Sequence, residues 1–450
     1  MKGEKCNIMS NVQFLLKQHV GAPCKPAVKA GEHVKKGTLI AEPVGLGANI
    51  FSSVYGTVES VDDQMIVVVP DKEQPEEYVK LEKVSSKLDM VKAAGLVGMG
   101  GAGFPTGVKL GTDLQGGYIL VNAAECEPGL RHNMVQLETR DLCEKTVRGV
   151  EYCMEISNAA KAIFAIKAKN EAAIKSLKEA IKDKPAMSIH LLPDIYPMGE
   201  ERAVVRECLD ILLEPDKLPS AAHANVCNVE SVLRVAEAIE DCKPCFSKNM
   251  TVIGRLNGGN APHVFMDVPI GTSVGDLIEK AGGIEGEYGE IIMGGPFTGQ
   301  PTTLESPVTK TTGGILVTVP FPDLHGAPVG ILNCACGGSE ARMRDLVAKM
   351  NGKVVSVTFC KQAVEVKPGA PRKCENPGNC PGQAERCLTM KKEGSEYILI
   401  GNCSDCSNTV MGSAPKLGLK VIHQTDHVCR TIGHKLYRHL TVSKTVEQNI

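Results

Sequence analysis

A glycine-rich stretch between residues 98 and 109 has the composition of a phosphate-binding loop. Five glycines occur within residues 98–107, and backbone amides approach a ligand closely where no Cβ stands in the way. Lys109 follows the last of these glycines by two residues and adds a positive charge. Exposed amides followed by a cation are typical of phosphate sites. We therefore predict a binding loop that includes Gly98, Gly100, Gly101, Gly103, Phe104 and Lys109.

Three further motifs follow the glycine stretch in the sequence. Residues 122–128 (NAAECEP) follow the strand-like run 118–121, and residues 196–201 (YPMGEE) follow the strand-like run 189–192. The third motif, NVCNVES, spans residues 225–231. In this order the four motifs resemble the flavin-binding subunit of respiratory complex I and the NADH-binding subunit of the Rnf complex. The resemblance implies an enzyme that binds FMN and oxidises NADH.

The same resemblance assigns roles to individual residues. The glycine amides and Lys109 would hold the FMN phosphate, and Asn122 and Asn228 would hydrogen-bond the flavin. The NADH side would be lined by Glu125, Glu127, Glu200 and Glu201. A purely structural alternative exists for the last two, because acidic residues at a helix start are favoured by the helix dipole. Ala124 departs from the complex I pattern, which has an acid there, and agrees with the Rnf subunit.

Composition narrows the class of protein. A chain of 450 residues predicts about three domains, and a net charge of −2 with mixed signs argues against nucleic-acid binding. Apolar runs stay short of the ~18 residues that a membrane span needs, and no signal peptide is recognisable. We therefore expect a cytoplasmic protein. Eighteen cysteines in a reducing compartment indicate redox chemistry or metal clusters rather than structural disulfides.

The segments on either side of the flavin motifs have their own patterns. Residues 26–41 and 50–58 alternate short strands with glycine turns and resemble the barrel-sandwich hybrid of lipoyl carriers, but the hairpin 43–49 lacks the lysine of a swinging arm. Strand-like runs at 162–166 and 189–192 are each followed by a helical pattern, at 170–182 and after Gly199, which predicts a Rossmann-like parallel sheet. Residues 251–319 resemble the SLBB-like β-grasp module that follows the flavin domain in both subunits.

The expected fold is therefore an α/β chain of four domains. The predicted boundaries are 1–85 for the barrel-sandwich hybrid, 86–248 for the FMN/NADH domain, 249–325 for the β-grasp module and 326–450 for a cysteine-rich α/β domain. In the last domain, Cys334/Cys336 and Cys403/Cys406 each follow a strand-like run and precede a helical one. Helix N-termini favour thiolate, and open α/β sheets have their sites at the carboxyl ends of strands. These pairs are the predicted catalytic dithiols.

A third cysteine group lies in a loop rich in proline and glycine, at Cys374, Cys380 and Cys387. Two interpretations remain open for the thiols of this domain. One is thiol–disulfide exchange, and the other is an iron–sulfur cluster that uses Cys374, Cys380, Cys387 and one of Cys403, Cys406 or Cys429. The paired CxxCxxCxxxCP runs that hold two clusters in the Rnf subunit are absent from the sequence.

An Rnf-like front half joined to a cysteine-rich tail of another kind resembles the electron-transfer proteins associated with D-proline reductase in amino-acid-fermenting anaerobes. This resemblance implies an NADH-dependent oxidoreductase that passes electrons through FMN and cysteine centres to the subunits of D-proline reductase. One alternative is a peripheral subunit of an NADH–ferredoxin complex. Another is a docking protein with a degenerate flavin site. The sequence leaves the oligomeric state open.

Overall fold

Two small antiparallel sheets form the N-terminal part of the protein, called here the barrel-sandwich module. The computed structural model describes residues 10–335, 338–401 and 404–436, with the backbone alone for 404–408. The strands of this module are β1 (Val12–Leu15), β2 (Cys24–Pro26), β3 (His33–Val34), β4 (Leu39–Pro43), β5 (Ile50–Phe51), β6 (Gly56–Val61) and β7 (Met65–Pro70). They pair in the orders β1-β7-β6-β3 and β2-β4-β5, with apolar side chains buried between the sheets.

The next module is a parallel sheet covered by helices. Its elements are α1 (Lys87–Ala93), α2 (Thr106–Leu110), β8 (Tyr118–Ala123), α3 (His132–Glu138), α4 (Arg140–Ile156), β9 (Lys161–Lys167), α5 (Glu171–Ala180), β10 (Met187–Leu192), α6 (Glu201–Leu209), β11 (Ala224–Asn228) and α7 (Val229–Asp241). The strand order is β10-β9-β8-β11, all parallel. Because the chain goes from β8 to one side and returns to the other side with β11, the carboxyl ends of these two strands flank a topological switch point.

A mixed sheet follows, called the β-grasp module. It consists of β12 (Ser247–Gly254), β13 (His263–Pro269), α8 (Val274–Lys280), β14 (Ile291–Met293), β15 (Gln300–Thr302) and β16 (Gly314–Val317). The strands β12 and β13 form an antiparallel pair, and β16 runs parallel to β12 at the centre of the sheet. Every residue of β12 is buried, which agrees with a central strand covered on both faces.

The last module is a second parallel sheet. Its elements are β17 (Pro328–Asn333), α9 (Glu340–Lys349), β18 (Lys353–Phe359), β19 (Ala363–Val364), β20 (Lys373–Cys374), α10 (Ala384–Lys392), β21 (Tyr397–Ile400), α11 (Ser404–Ser413), β22 (Lys420–His423) and α12 (Asp426–Thr431). The order β18-β17-β21-β22 puts its switch point between β17 and β21. The predicted α/β fold class is confirmed, including a parallel sheet in the cysteine-rich region.

Two buried charges join the modules. The fully buried ammonium of Lys310 in the β-grasp module donates to the carbonyl oxygen of Gly95 at 2.8 Å and to that of Asn49 in the barrel-sandwich module. Burial lowers the pKa of Lys310. The carboxylate of Glu290, just before β14, accepts hydrogen bonds from side chains of the last module: Arg342, Lys349 and His427. Each charge therefore holds elements that are distant in sequence.

None of the helices within the described residues is long and apolar enough to cross a membrane.

Candidate functional site

A cavity of about 490 Å³ lies at the carboxyl ends of β8 and β11; it is called here the main cavity. This is the location that a doubly wound parallel sheet predicts for its ligand. All four sequence motifs contribute residues to its wall, and so does the last module. From the predicted set, the lining includes Gly100, Gly101, Asn122, Glu125, Glu127, Glu200 and Asn228. The structure thus brings together residues that are up to 128 positions apart, from Gly100 to Asn228.

The glycine loop is held as a tight turn at one end of this cavity. The amide of Gly98 donates to the carbonyl of Phe104 at 2.8 Å, and that of Gly103 donates to the carbonyl of Gly98 at 3.0 Å. Gly98, Gly103 and Phe104 therefore shape the turn and do not line the cavity. Gly101 has a φ of +108°, and a Cβ there would meet nothing within 4 Å. Its open space is available to a ligand.

Asn228 leaves no room for a side chain at Gly100. A Cβ on Gly100 would lie 2.9 Å from Nδ2 of Asn228. The other side-chain atom of Asn228, Oδ1, caps α7 by accepting from the amides of Glu230 at 2.9 Å and Ser231 at 3.4 Å. Asn228 is thus fixed by the helix start and presents its amide nitrogen to the glycine loop. The cap is what fixes its rotamer.

Lys109 lies beside the loop but does not line the main cavity. Its ammonium donates to Oε1 of Glu201 at 2.6 Å and to the carbonyl oxygen of Val226 at 2.8 Å. Glu201 likewise is not part of the cavity lining. The two residues form an ion pair between α2 and α6, so the direct contacts expected of Lys109 with a phosphate and of Glu201 with NADH stay predictions.

Asn122 and Glu200 connect the end of β8 with the start of α6. Asn122 Nδ2 donates to the carbonyl oxygen of Gly199 at 2.9 Å. Glu200 is the N-cap of α6 and accepts from the amide of Ala203 at 3.0 Å. Glu200 therefore has the helix-start role as well as a place in the cavity wall, and its contact with NADH stays a prediction.

Glu125 combines a strained backbone with a buried carboxyl group. It has a φ of +38°, which is rare for a residue with a side chain, and such strain concentrates at functional sites. Asn133 Nδ2 lies 3.4 Å from its Oε1, while its buried Oε2 has no hydrogen-bond partner among the described residues. Burial raises the pKa of Glu125 to about 7, against the lowering effects of Asn133, Lys248 and Arg131. The carboxyl group can therefore hold or release a proton near neutral pH.

Glu127 connects two modules. It accepts hydrogen bonds from the amides of Phe297 at 2.6 Å and Thr298 at 3.2 Å, and from the hydroxyl of Thr298 at 2.5 Å. Burial raises its pKa. Glu127 lines the main cavity, and its oxygens hold the β-grasp module against the parallel-sheet module.

The far wall of the main cavity comes from the last module, at Ala335, Lys373, Cys374 and Pro377. This segment is docked on α6. Arg202 Nη2 donates to the carbonyl oxygen of Cys374 at 2.8 Å, and Arg206 Nη1 donates to the carbonyl oxygen of Pro377 at 2.7 Å.

A second cavity, of about 10 Å³, lies directly behind that wall and is called the thiol cavity. Four cysteines line it: Cys334, Cys360, Cys374 and Cys380. Nε2 of Gln383 lies 3.0 Å from the sulfur of Cys360 and 3.6 Å from that of Cys380, so one amide faces two thiols. Burial raises the pKa of Cys360 to about 11, with the charges of Cys334 and Cys380 adding to the effect.

Cys360 was not among the predicted site residues, although it directly follows β18. A cysteine after a strand is the same signal from which Cys334, after β17, was predicted. Cys387 lies outside the thiol cavity: it is buried in a core cluster, and the hydroxyl of Ser413 donates to its sulfur at 3.4 Å. Within the described residues no group of three or more metal-ligating side chains is arranged to hold a metal ion. Cys336 and Cys403 lie outside the described residues, and for Cys406 only the backbone is described.

Family models match two parts of the chain. Residues 91–237 match the FMN-binding domain of the complex I 51 kDa subunit, a range that contains the glycine loop and the other three motifs. Residues 3–76 match the barrel sandwich hybrid domain of RnfC.

Among curated proteins, the cobalamin reductase PduS of Salmonella typhimurium is 34% identical over 322 residues, which is 71% of this chain. The match spans 65% of that reductase, slightly less than two thirds of its length. The matching component of the proton-translocating ferredoxin:NAD(+) oxidoreductase complex of Clostridium ljungdahlii is 33% identical, over 69% of this chain and 71% of that component. Its counterpart in the Na(+)-translocating complex of Acetobacterium woodii is 30% identical, over 70% of this chain and 75% of that counterpart. With its glycine loop, its barrel-sandwich module and these similarities, the chain belongs to the RnfC-like family of proteins that contain a complex I 51 kDa-type FMN-binding domain.

Proposed function

We propose that this protein is an electron-transfer flavoprotein that oxidises NADH on FMN in the main cavity and delivers the electrons to cysteines of the last module. One observation supports this most directly: Cys374 and Ala335 line both the main cavity and the thiol cavity. The predicted entry and exit of the electrons therefore share two wall residues. The proposal retains the four domains predicted from the sequence and a cytoplasmic location.

The main cavity suits FMN in its polar groups and in its free space. Within the described residues, the backbone amides of Gly100, Gly101 and Ala102 donate to no backbone carbonyl. The space next to Gly101 is open, and the amide groups of Asn122 and Asn228 line the same cavity. When FMN is bound, it supplies the ability to accept a hydride and to release electrons.

The residues of the chain would orient the nucleotides and manage protons. Glu200 is fixed by its cap on α6, so it offers a carboxylate of defined position to the NADH side. Glu125 holds a proton at Oε2 below pH about 7 and releases it above that value, which is the range in which an acid–base group acts best. Tyr196 packs edge-on against Phe297, with ring centroids 4.8 Å apart, and helps to exclude water from the cavity.

For the electron exit we propose thiol chemistry. Two electrons and two protons convert a disulfide into two thiols, so a disulfide accepts the two electrons and the proton of one hydride from NADH, and the second proton comes from solvent. The candidate thiols are those of the thiol cavity together with the predicted pairs Cys334/Cys336 and Cys403/Cys406. An iron–sulfur cluster on Cys374, Cys380 and Cys387 is the competing proposal. Cys387 is buried outside the thiol cavity, which argues against such a cluster.

As the terminal acceptor we propose D-proline reductase, on the strength of the cysteine-rich tail. The similarity to components of ferredoxin:NAD(+) oxidoreductase complexes favours a second candidate, a peripheral subunit that exchanges electrons with a ferredoxin-type partner. The similarity to cobalamin reductases suggests cobalamin as a third candidate acceptor.

The test starts with anaerobically purified protein and NADH. NADH should bleach the flavin absorbance, and cysteine alkylation should then increase because reduction opens disulfides. If dithionite bleaches the flavin and NADH does not, the NADH assignment is wrong; if no flavin is present, the flavoprotein assignment is wrong. Transfer is then measured to purified D-proline reductase, to ferredoxin and to cob(II)alamin. The double variant Cys403→Ser/Cys406→Ser should retain flavin reduction and lose transfer.

A further inference from the structure

The guanidinium of Arg202 is buried in the wall of the main cavity with part of its hydrogen-bonding capacity unused. Its side chain is 7% exposed. Nε donates to Oε1 of Glu200 at 3.0 Å, and Nη2 donates to the carbonyl oxygen of Cys374 at 2.8 Å. Nη1 is buried and, within the described part of the chain, has no partner. An unpaired charged donor is costly to bury, so this nitrogen requires an acceptor that the protein does not supply.

Lys373 adds a second positive charge to the same wall. It lines the main cavity next to Cys374, and no ion pair with a described carboxylate is seen for its ammonium. Arg202 comes from the first turn of the nine-residue helix α6, whose dipole also favours an anion. Two cations and a helix start thus converge from two modules on one cavity.

The carboxyl groups of the cavity leave Nη1 of Arg202 without a partner among the described residues. Glu200 is shared between Arg202 and the amide of Ala203. Glu127 is occupied by the amides of residues 297 and 298. Burial raises the pKa of Glu125 and that of Glu127, which favours their neutral forms. Arg202 is therefore paired with Glu200 through Nε, while its Nη1 remains available to an anion.

We propose that Arg202 and Lys373 form an anion-binding subsite for a phosphate or diphosphate group of the bound nucleotide. The inference rests on the proposed function for the identity of the nucleotides, and two sources share the required chemistry: the phosphate of FMN and the diphosphate of NADH. Planar guanidinium groups bind phosphate oxygens with two parallel hydrogen bonds. Nη1 of Arg202 can donate one of these bonds.

Arg206 offers a matched control. It lies one helical turn after Arg202 and docks the same segment through Asn376 Oδ1 at 2.8 Å and the carbonyl of Pro377 at 2.7 Å, but it does not line the main cavity. Arg206→Met therefore weakens the docking of this segment without removing the proposed anion ligand. Arg202→Met removes both, and Arg202→Lys retains the charge.

The experiment measures binding to the full-length protein by calorimetry, with ADP against adenosine for the dinucleotide and FMN against riboflavin for the flavin. We expect Arg202→Met to weaken binding of one phosphorylated probe by about ten- to a hundredfold, the loss of one or two charged hydrogen bonds. Lys373→Met should weaken the same probe by a smaller factor, and Arg202→Lys should restore part of the loss. Adenosine and riboflavin binding should be unchanged.

The affected probe identifies the source: ADP indicates the diphosphate of NADH, and FMN indicates the flavin phosphate. If Arg202→Met binds ADP and FMN as the wild type does, or loses only what Arg206→Met loses, Arg202 is a docking residue and the subsite is refuted. These titrations do not depend on NADH oxidation. Failure of NADH to bleach the flavin would therefore count against the proposed function and leave the subsite measurable.

Discussion

Cys334 and Cys360 occupy equivalent positions at the ends of neighbouring parallel strands. Asn333 of β17 pairs with Phe359 of β18, and the amide of Cys360 donates to the carbonyl oxygen of Asn333 at 2.9 Å. The two cysteines are the next residues along each strand, so both enter the thiol cavity from the carboxyl edge of the sheet. This register makes Cys360 a member of the thiol group as much as Cys334.

Replacement of Cys360 should therefore interrupt electron delivery. We expect Cys360→Ser to retain NADH-driven flavin reduction and to lose most transfer to the acceptor, as measured by stopped-flow absorbance and by turnover. Cys387→Ser is the control, because Cys387 is buried outside the thiol cavity. The opposite pattern, with transfer lost only in Cys387→Ser, would favour the iron–sulfur alternative over the dithiol proposal.

The glycine loop can be tested with a pair of matched substitutions. Gly101 and Gly116 both have positive φ, +108° and +81°, and a Cβ at either position meets nothing within 4 Å. Alanine at each should cost about 1–2 kcal/mol of backbone strain. Only Gly101 lines the main cavity, so Gly101→Ala alone should weaken FMN binding, by about tenfold or more, equivalent to ~1.4 kcal/mol. Equal FMN affinities in the two variants would remove the glycine loop from the flavin site.

Glu125 predicts a pH dependence of stability. Burial raises its pKa from 4.5 to about 7, so the folded protein binds a proton that the unfolded chain has lost. The stabilising contribution is complete below pH about 4.5 and decreases as the pH rises towards 7 and beyond. The melting temperature of the wild type should therefore fall relative to that of Glu125→Gln between pH 5 and 8. Parallel curves for the two proteins would contradict the raised pKa.

Glu290 should stabilise the contact between the β-grasp module and the last module. Its buried carboxylate accepts from Arg342, from Lys349 at 2.8 Å and from His427 at 2.8 Å. Glu290→Gln leaves these partners without their anion, and we expect a loss of roughly 3 kcal/mol in the free energy of unfolding. Asp345→Asn is the control: it removes a half-exposed partner of the same Arg342 and Lys349 and should cost less than about 1 kcal/mol. Denaturant titrations of both variants decide between these values.

The main cavity was accessible to prediction because its residues follow strands in recognisable motifs. Carboxyl ends of parallel strands meet at one edge of the sheet, so Asn122 and Asn228 could be expected to converge. Sequence spacing alone could not show that Lys109 pairs with Glu201, because that contact depends on how α2 packs near α6. It also could not reveal that Glu127 holds a loop 170 residues further along the chain.

The thiol cavity was only partly predictable, for a similar reason. A pair of cysteines with close spacing is conspicuous in a sequence, whereas Cys360 stands alone after its strand. Its partners come from the residue after β17, from β20 and from the loop before α10, and only the three-dimensional packing brings them together. Arg202 could not be predicted for the same reason, because the carbonyl group to which it donates lies 172 residues away in the sequence.

The buried ammonium of Lys310 has a consequence for any attempt to divide this protein. It holds carbonyl groups of Asn49 and Gly95, so a fragment that ends before residue 310 loses a cation that bridges two other modules. A fragment that starts after residue 49 leaves that cation short of an acceptor in an apolar interior. The first three modules should therefore melt in one calorimetric transition. Excised flavin domains made by cutting at the module boundaries should be poorly soluble, even though no sheet of the described residues is shared between modules.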